Sequence, residues 1–280
     1  VPMNFLPAGS KADYIHTGVW TKKAMAEAKT QGEVHVAFDG AKDNFAHIPS
    51  DDEIEYSEKP AYAYYCVNNT IYGTEWKHVP KVPAGVPLIA DPSSDMFSRP
   101  IDVDKHALIF AGAQKNLGPA GATLVIIRKD FMETGRKGLP VMLDYRPLAK
   151  EQSMLNTPPC FSIYVVGLVF KWILANGGLE GMAKRNEEKA KIVYDAIDNS
   201  GGFYRGVARA DSRSLMNISF LTPNPELDAL FVKEALAHDM SGLKGHRSAG
   251  GLRASVYNAF PKKGCEVLAE FMAEFARKNG

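Results

Sequence analysis

The sequence predicts an α/β fold with a mostly parallel sheet in a large domain, followed by a smaller α+β domain. Three observations carry that expectation. Short apolar runs recur along the first half of the 280 residues, separated by helical or long crossover segments. A nearly all-apolar stretch, Phe161 to Ala175, reads as a buried helix stopped by Asn176-Gly177-Gly178. Beyond it, apolar residues recur at helical spacing in a charged background. The boundary therefore falls near Gly177, dividing 1–177 from 178–280.

Thr17 is placed to cap a first helix through Lys22-Lys23-Ala24-Met25-Ala26-Glu27-Ala28-Lys29, closed near Gly32. Val34 to Phe38 reads as a strand, followed by a polar, Asp-rich loop to about Pro60. Tyr62 to Cys66 is a second, aromatic strand. Val86 to Ala90 is a third, ending in the carboxylate of Asp91, with Pro87 near its start where a missing donor is best tolerated. Ala107 to Phe110 and Thr123 to Ile127 read as buried strands on either side of Lys115. The apolar helix 161–175 is expected to be the spine joining the two domains. Leu179, Met182, Ala190, Val193 and Ile197 mark a further helix, Met216 to Leu221 a strand, and Pro225 to Ala237 a helix with proline at its first position. Leu252 to Tyr257 alternates like a half-buried strand, and Cys265 to Ala276 closes the chain as an amphipathic helix.

Composition excludes several classes. Lys and Arg number 33 against 32 Asp and Glu, a balance that leaves no electrostatic footprint for nucleic acid or an anionic membrane. No apolar run approaches the roughly 20 residues needed to span a bilayer. Cys66, Cys160 and Cys265 are scattered without metal-ligand spacing and read as reduced, mostly buried thiols of a cytoplasmic protein. No Walker or dinucleotide glycine pattern is present.

Lys115 stands out. It lies in Ala111-Gly112-Ala113-Gln114-Lys115-Asn116-Leu117-Gly118, small residues that leave room for a large flat molecule to approach the backbone. A lysine between core strands is expected to be buried, with something holding its amine, because an unpaired buried ammonium is costly. Asp91 also follows an apolar strand, and strand ends on one edge of a parallel sheet line the ligand crevice. An amine and a carboxylate so placed suit a pyridoxal phosphate enzyme, the amine meeting the aldehyde and the acid partnering the pyridine nitrogen. A simple Asp–Lys ion pair satisfies the same spacing.

The wider sequence resembles the phosphoserine aminotransferases, homodimeric class V members of pyridoxal phosphate fold type I. The resemblance is carried by Asp91-Pro92-Ser93-Ser94, Ser98-Arg99-Pro100-Ile101-Asp102, the Lys115 stretch, Tyr65-Cys66-Val67-Asn68-Asn69-Thr70, Asn156-Thr157-Pro158-Pro159 and Leu243-Lys244-Gly245-His246-Arg247. It runs from Val1 to Gly280 in the family's order. It implies that Lys115 is the Schiff-base lysine and general base, and that Asp91 partners the pyridine nitrogen. Trp20 then stacks on the cofactor ring, Thr70 bonds its phenolic oxygen, and Gln114 its phosphate. Asn156 and Thr157 reach the phosphate of the partner subunit's cofactor, so that the homodimer shares its active sites. His246 and Arg247 hold a substrate phosphate and Arg253 the substrate carboxylate. The implied reaction moves an amino group between glutamate and 3-phosphohydroxypyruvate, in serine biosynthesis. No metal is implied.

Two departures accompany the resemblance. Asn69 stands where the family usually has glutamate. Family members also carry a further segment before the point where this chain begins, with a glycine-rich turn for the cofactor phosphate and basic substrate-binding residues, and no residue here takes those roles. Two other readings stay open on sequence alone. One is another class V aminotransferase; the other is a chain that keeps the fold and dimer surface without binding cofactor.

Overall fold

The computed structural model describes residues 1–280. A short helix α1 (Pro2–Phe5) leads into strand β1 (Lys11–His16), helix α2 (Val19–Ala28) and strand β2 (Glu33–Asp39). A long connection with two single 3₁₀ turns reaches β3 (Ala63–Cys66), and a small antiparallel hairpin follows, β4 (Asn68–Asn69) and β5 (Thr74–Glu75). Then come β6 (Leu88–Asp91), β7 (Leu108–Gly112) and β8 (Thr123–Ile127).

These strands form a six-stranded sheet in the order β2-β1-β3-β6-β7-β8, parallel throughout except for the antiparallel edge strand β8. The sheet is buried on both faces, as parallel sheets are. Ala63 and Tyr65, Leu88 and Ala90, and Ile109 and Ala111 point into one core. Tyr64, Ile89 and Leu108 point into the other, which α1, α2 and the short helix α3 (Lys129–Glu133) cover with Phe5, Met25, Ala28 and Phe131.

After α4 (Tyr145–Lys150), helix α5 (Cys160–Ala175) packs Val166 and Phe170 against the first core. The expectation of a helix buried all round fails here. Only Ser162 and Ile173 are buried, whereas Phe161 is 73% exposed, Leu174 75%, and Tyr164 and Leu168 are also open. One stripe of α5 meets the sheet and nothing in this chain covers the rest.

At Gly177, with φ +88°, the chain turns by 81° into α6 (Gly178–Asp198). The remaining elements are β9 (Arg205–Gly206), β10 (Asn217–Leu221), α7 (Pro225–Ala237), β11 (Leu252–Ser255) and α8 (Lys262–Asn279). Their antiparallel sheet, ordered β11-β10-β9, packs on α6, α7 and α8 through Val193, Ile218, Phe220, Phe231, Met272 and Phe275. Asn224 caps α7 through the Leu227 N–H, with Pro225 at the first position as expected. This third core shares no residue with the two that sandwich the large sheet.

Two details differ from the sequence expectation. The strand β1 lies inside the sheet between β2 and β3, where the sequence pattern predicts no strand. Thr17 does not cap α2: Gly18 takes that place, and the buried Thr17 hydroxyl instead faces Asn69.

Candidate active site

Parallel strands present their carboxyl ends along one edge, and three of the singled-out residues lie there. Asp91 closes β6, and Gln114 and Lys115 sit in the turn just beyond the neighbouring β7. Ser93 ties the two strand ends together. Its backbone N–H donates to Asp91 Oδ1 at 3.0 Å and its hydroxyl to the same oxygen at 2.5 Å, while its Oγ accepts from the Gly112 N–H at 3.1 Å. Tyr64 donates to Asp91 Oδ2 at 3.3 Å from the next strand. Burial pushes the Asp91 carboxyl above the usual carboxylate range, against the pull of these hydroxyl and amide donors. No lysine, arginine or histidine pairs with it.

The amine contradicts its expected burial. Lys115 is exposed and makes no ion pair with Asp91 or any other acid. Its ammonium lies 5.6 Å from the centre of the Tyr257 ring. The chain after β7 turns outward at Gln114, so the small residues around Lys115 open the site instead of enclosing the side chain. Gln114 is exposed too, and folds back over Gly112: a Cβ there would meet its Oε1 at 2.5 Å.

Trp20, Thr70 and Arg253 come together from three distant parts of the chain. The Trp20 indole N–H donates to Thr70 Oγ1 at 3.0 Å, and Arg253 Nη1 donates to the Thr70 carbonyl at 3.2 Å. Thr70 is buried, but Trp20, near the start of α2, keeps 39% of its surface open. It is therefore a half-open flat ring, not a core residue, with the Lys23 ammonium 4.9 Å from its centre. Arg253 Nε is buried without a partner, leaving donors of its fork available to a carboxylate.

Asn69 explains how Trp20 gets there. Its buried amide donates to Thr17 and Thr74 hydroxyls at 3.2 Å each, and its Oδ1 lies 2.7 Å from where a Cβ on Gly18 would stand. Only glycine lets α2 begin so close to the β4–β5 hairpin. With hydroxyls alone around it, an amide suits this position, whereas a glutamate would bury an unpaired charge.

The remaining expectations lie apart. His246 and Arg247 are on the loop between α7 and β11, which is rooted beside Arg253 by the pairing of Lys244 with Leu252. His246 Nδ1 accepts from the Ser248 N–H at 3.2 Å, which leaves Nε2 as the donor, and Arg247 has no acidic partner. No hydrogen bond or ion pair links either to Arg253. Asn156 and Thr157 sit exposed before α5, the Asn156 amide donating to the Thr157 carbonyl at 3.1 Å. Sequence reasoning missed Ser93, Tyr64 and Tyr257. Ser93 was legible as a serine two residues after an acid at a strand end, whereas the other two carry no local signal.

The pattern of the family described as "Aminotransferase class-V" matches residues 1–268. The chain belongs to that family and, within it, to the phosphoserine aminotransferases. It is 54% identical over 280 residues to the phosphoserine aminotransferase of Herpetosiphon aurantiacus, covering all of this chain and 78% of that protein. The solved phosphoserine aminotransferase of Bacillus circulans subsp. alkalophilus superposes with a TM-score of 0.97 at 49% identity, covering 100% of this chain and 77% of that one. That of Trichomonas vaginalis, solved with pyridoxal phosphate bound, gives a TM-score of 0.90 at 42% identity, covering 97% of this chain and 77% of its own.

Proposed function

We propose that the protein is a pyridoxal phosphate-dependent transaminase that exchanges the amino group of glutamate with 3-phosphohydroxypyruvate, giving phosphoserine and 2-oxoglutarate. Two observations carry the reading: Trp20, Thr70 and Arg253 meet from distant parts of the chain, and Asp91 and Lys115 sit at the ends of the paired strands β6 and β7. The residues fit the cofactor on physical grounds. Asp91 is buried with hydrogen-bond donors but no cation, the deficit that a protonated ring nitrogen fills. Trp20 offers its open indole face and Thr70 its hydroxyl.

When bound, pyridoxal phosphate supplies an aldehyde that condenses with amines and a ring that accepts the electrons left on Cα. Asp91 would keep the ring nitrogen protonated, and Gln114 would bond the phosphate. Lys115 Nζ would hold the cofactor in the resting protein and serve as the base that moves the proton at the substrate Cα. Arg253 would fork onto the substrate carboxylate, and His246 Nε2 with Arg247 would receive its phosphate as the loop beside Arg253 adjusts.

The open face of α5 favours a homodimer. Phe161, Tyr164, Leu168 and Leu174 are large apolar side chains left exposed on one helix, and a second copy covering them would bring Asn156 and Thr157 to its neighbour's cofactor phosphate. The separate cores support a large domain of residues 1–177 and a small one of 178–280. No single helix is long and apolar enough to cross a membrane, and the three free thiols suit the cytoplasm.

Two measurements test the reading. Adding pyridoxal phosphate to the protein should produce a new visible absorbance band that Lys115→Ala lacks; identical spectra for the two refute the role of Lys115. Phosphorylated substrate should turn over far faster than its unphosphorylated counterpart. Equal rates point to a different class V transaminase.

A further inference from the structure

The most buried ammonium in the molecule is not at the strand ends but on α6. Lys189 has no measurable exposure and no acidic partner. Its three donors are nonetheless matched, reaching the carbonyls of Val256 at 2.9 Å, Tyr257 at 2.6 Å and Asn258 at 3.4 Å. Three successive carbonyls turned toward one point describe a chain held in a single conformation. One turn earlier on α6, Asn186 donates to the Asn258 side chain at 2.8 Å and to the Ser98 carbonyl at 3.0 Å.

The held segment faces the strand-end site. The Asn258 N–H donates to Asn116 Oδ1 at 3.0 Å, securing the residue next to Lys115, and Asn258 Nδ2 donates to the Phe97 carbonyl at 2.9 Å. The Tyr257 hydroxyl accepts from Asn217 Nδ2 at 3.1 Å. Its ring face is what the Lys115 ammonium meets. In a site where no acid contacts that amine, the ring is its one attractive neighbour.

We propose that Tyr257 is a positioning residue for Lys115, and that Lys189 acts at one remove by clamping the 256–258 segment that carries it. The inference rests on the assignment of Lys115 as the reactive amine. Lys189 touches neither substrate nor cofactor. Its role is to make the site's geometry depend on α6, which otherwise belongs to a different core.

The test uses the full chain with four proteins: the parent, Tyr257→Phe, Tyr257→Leu and Lys189→Met. Each is titrated with pyridoxal phosphate, and visible circular dichroism is recorded per mole bound, because that signal reports a fixed orientation that mere folding does not supply. Tyr257→Phe, which keeps the ring, should retain the parent's signal, while Tyr257→Leu and Lys189→Met should lose most of it at unchanged far-ultraviolet dichroism. A parental signal in Tyr257→Leu overturns the proposal. Should Lys189→Met fail to fold, the two Tyr257 variants still decide the matter. A second readout needs no cofactor: Lys115 acylation by acetic anhydride, located by peptide mass, should be about threefold faster in Tyr257→Leu than in Tyr257→Phe. Equal acylation rates overturn the placement of the ring. A parent that never takes pyridoxal phosphate at Lys115 refutes the functional assignment instead, and the acylation ratio then judges Tyr257 alone.

Discussion

Lys115 and Lys189 invert each other's appearances. Lys115 lies among alanines and glycines between two core strands, yet its ammonium stands in the open site with only a tyrosine ring near it. Lys189 lies in Arg185-Asn186-Glu187-Glu188-Lys189, a run that looks solvated, yet it is completely buried on three carbonyls. The contrast separates two uses of a cation. On the proposed function, the amine that reacts is left unpaired and reachable, whereas the one that holds structure is saturated with acceptors. Neighbouring small residues mark room for a ligand, not burial of the side chain.

The sharpest way to break this comparison is Lys115→Ala. Transamination should fall below detection, while urea unfolding of the cofactor-free protein should move by no more than about 0.5 kcal/mol, as for other exposed positions. A large loss of stability would mean that Lys115 is structural after all. In the same unfolding assay Lys189→Met should cost about 2 kcal/mol, because it leaves buried carbonyls without donors.

The second lysine also carries a pH signature. Burial pushes the Lys189 ammonium down to about 8 from its ordinary 10.5, with Arg185 adding to the shift and Cys265 opposing it. Between those values the folded chain has released a proton that the unfolded chain still holds. Stability from this group therefore rises with pH in that window and is flat below it. The gap in unfolding free energy between the parent and Lys189→Met should widen as pH climbs above 8; a constant gap would show that Lys189 stays charged in the fold. The smallest expected effect is at the open site. Trp20→Phe keeps a ring but loses the bond to Thr70, and should weaken pyridoxal phosphate binding about fivefold, measured by fluorescence titration. An unchanged affinity would show that the ring alone matters.

Much of the architecture was readable because periodicity and punctuation are local. The apolar runs at β3, β6, β7 and β8, the proline at the start of α7 and the glycines closing α5 sit where the sequence predicts. The strand β1 was not readable. Lys11-Ala12-Asp13-Tyr14-Ile15-His16 interleaves charges with apolar residues, and it is buried only because distant groups satisfy them. Asp13 takes the Ser57 amide and hydroxyl and faces His35, and Tyr14 bonds Tyr62. The α5 face was misread for the opposite reason: its composition cannot distinguish a core from a surface awaiting a partner.

By itself the sequence determined the α/β class, the placement of Asp91 and Lys115 at adjacent strand ends, and, through its motifs, the family. Those follow from the period of a strand and the geometry of a parallel sheet, which constrain residues close in sequence. Only the tertiary structure decided that Trp20, Thr70 and Arg253 meet, that Asp91 lacks a cation, and which lysine is buried. The Trp20–Thr70–Arg253 meeting joins groups 50 to 183 residues apart in the chain, and in every case desolvation and hydrogen bonding are set by what folds against a residue and not by its sequence neighbours alone.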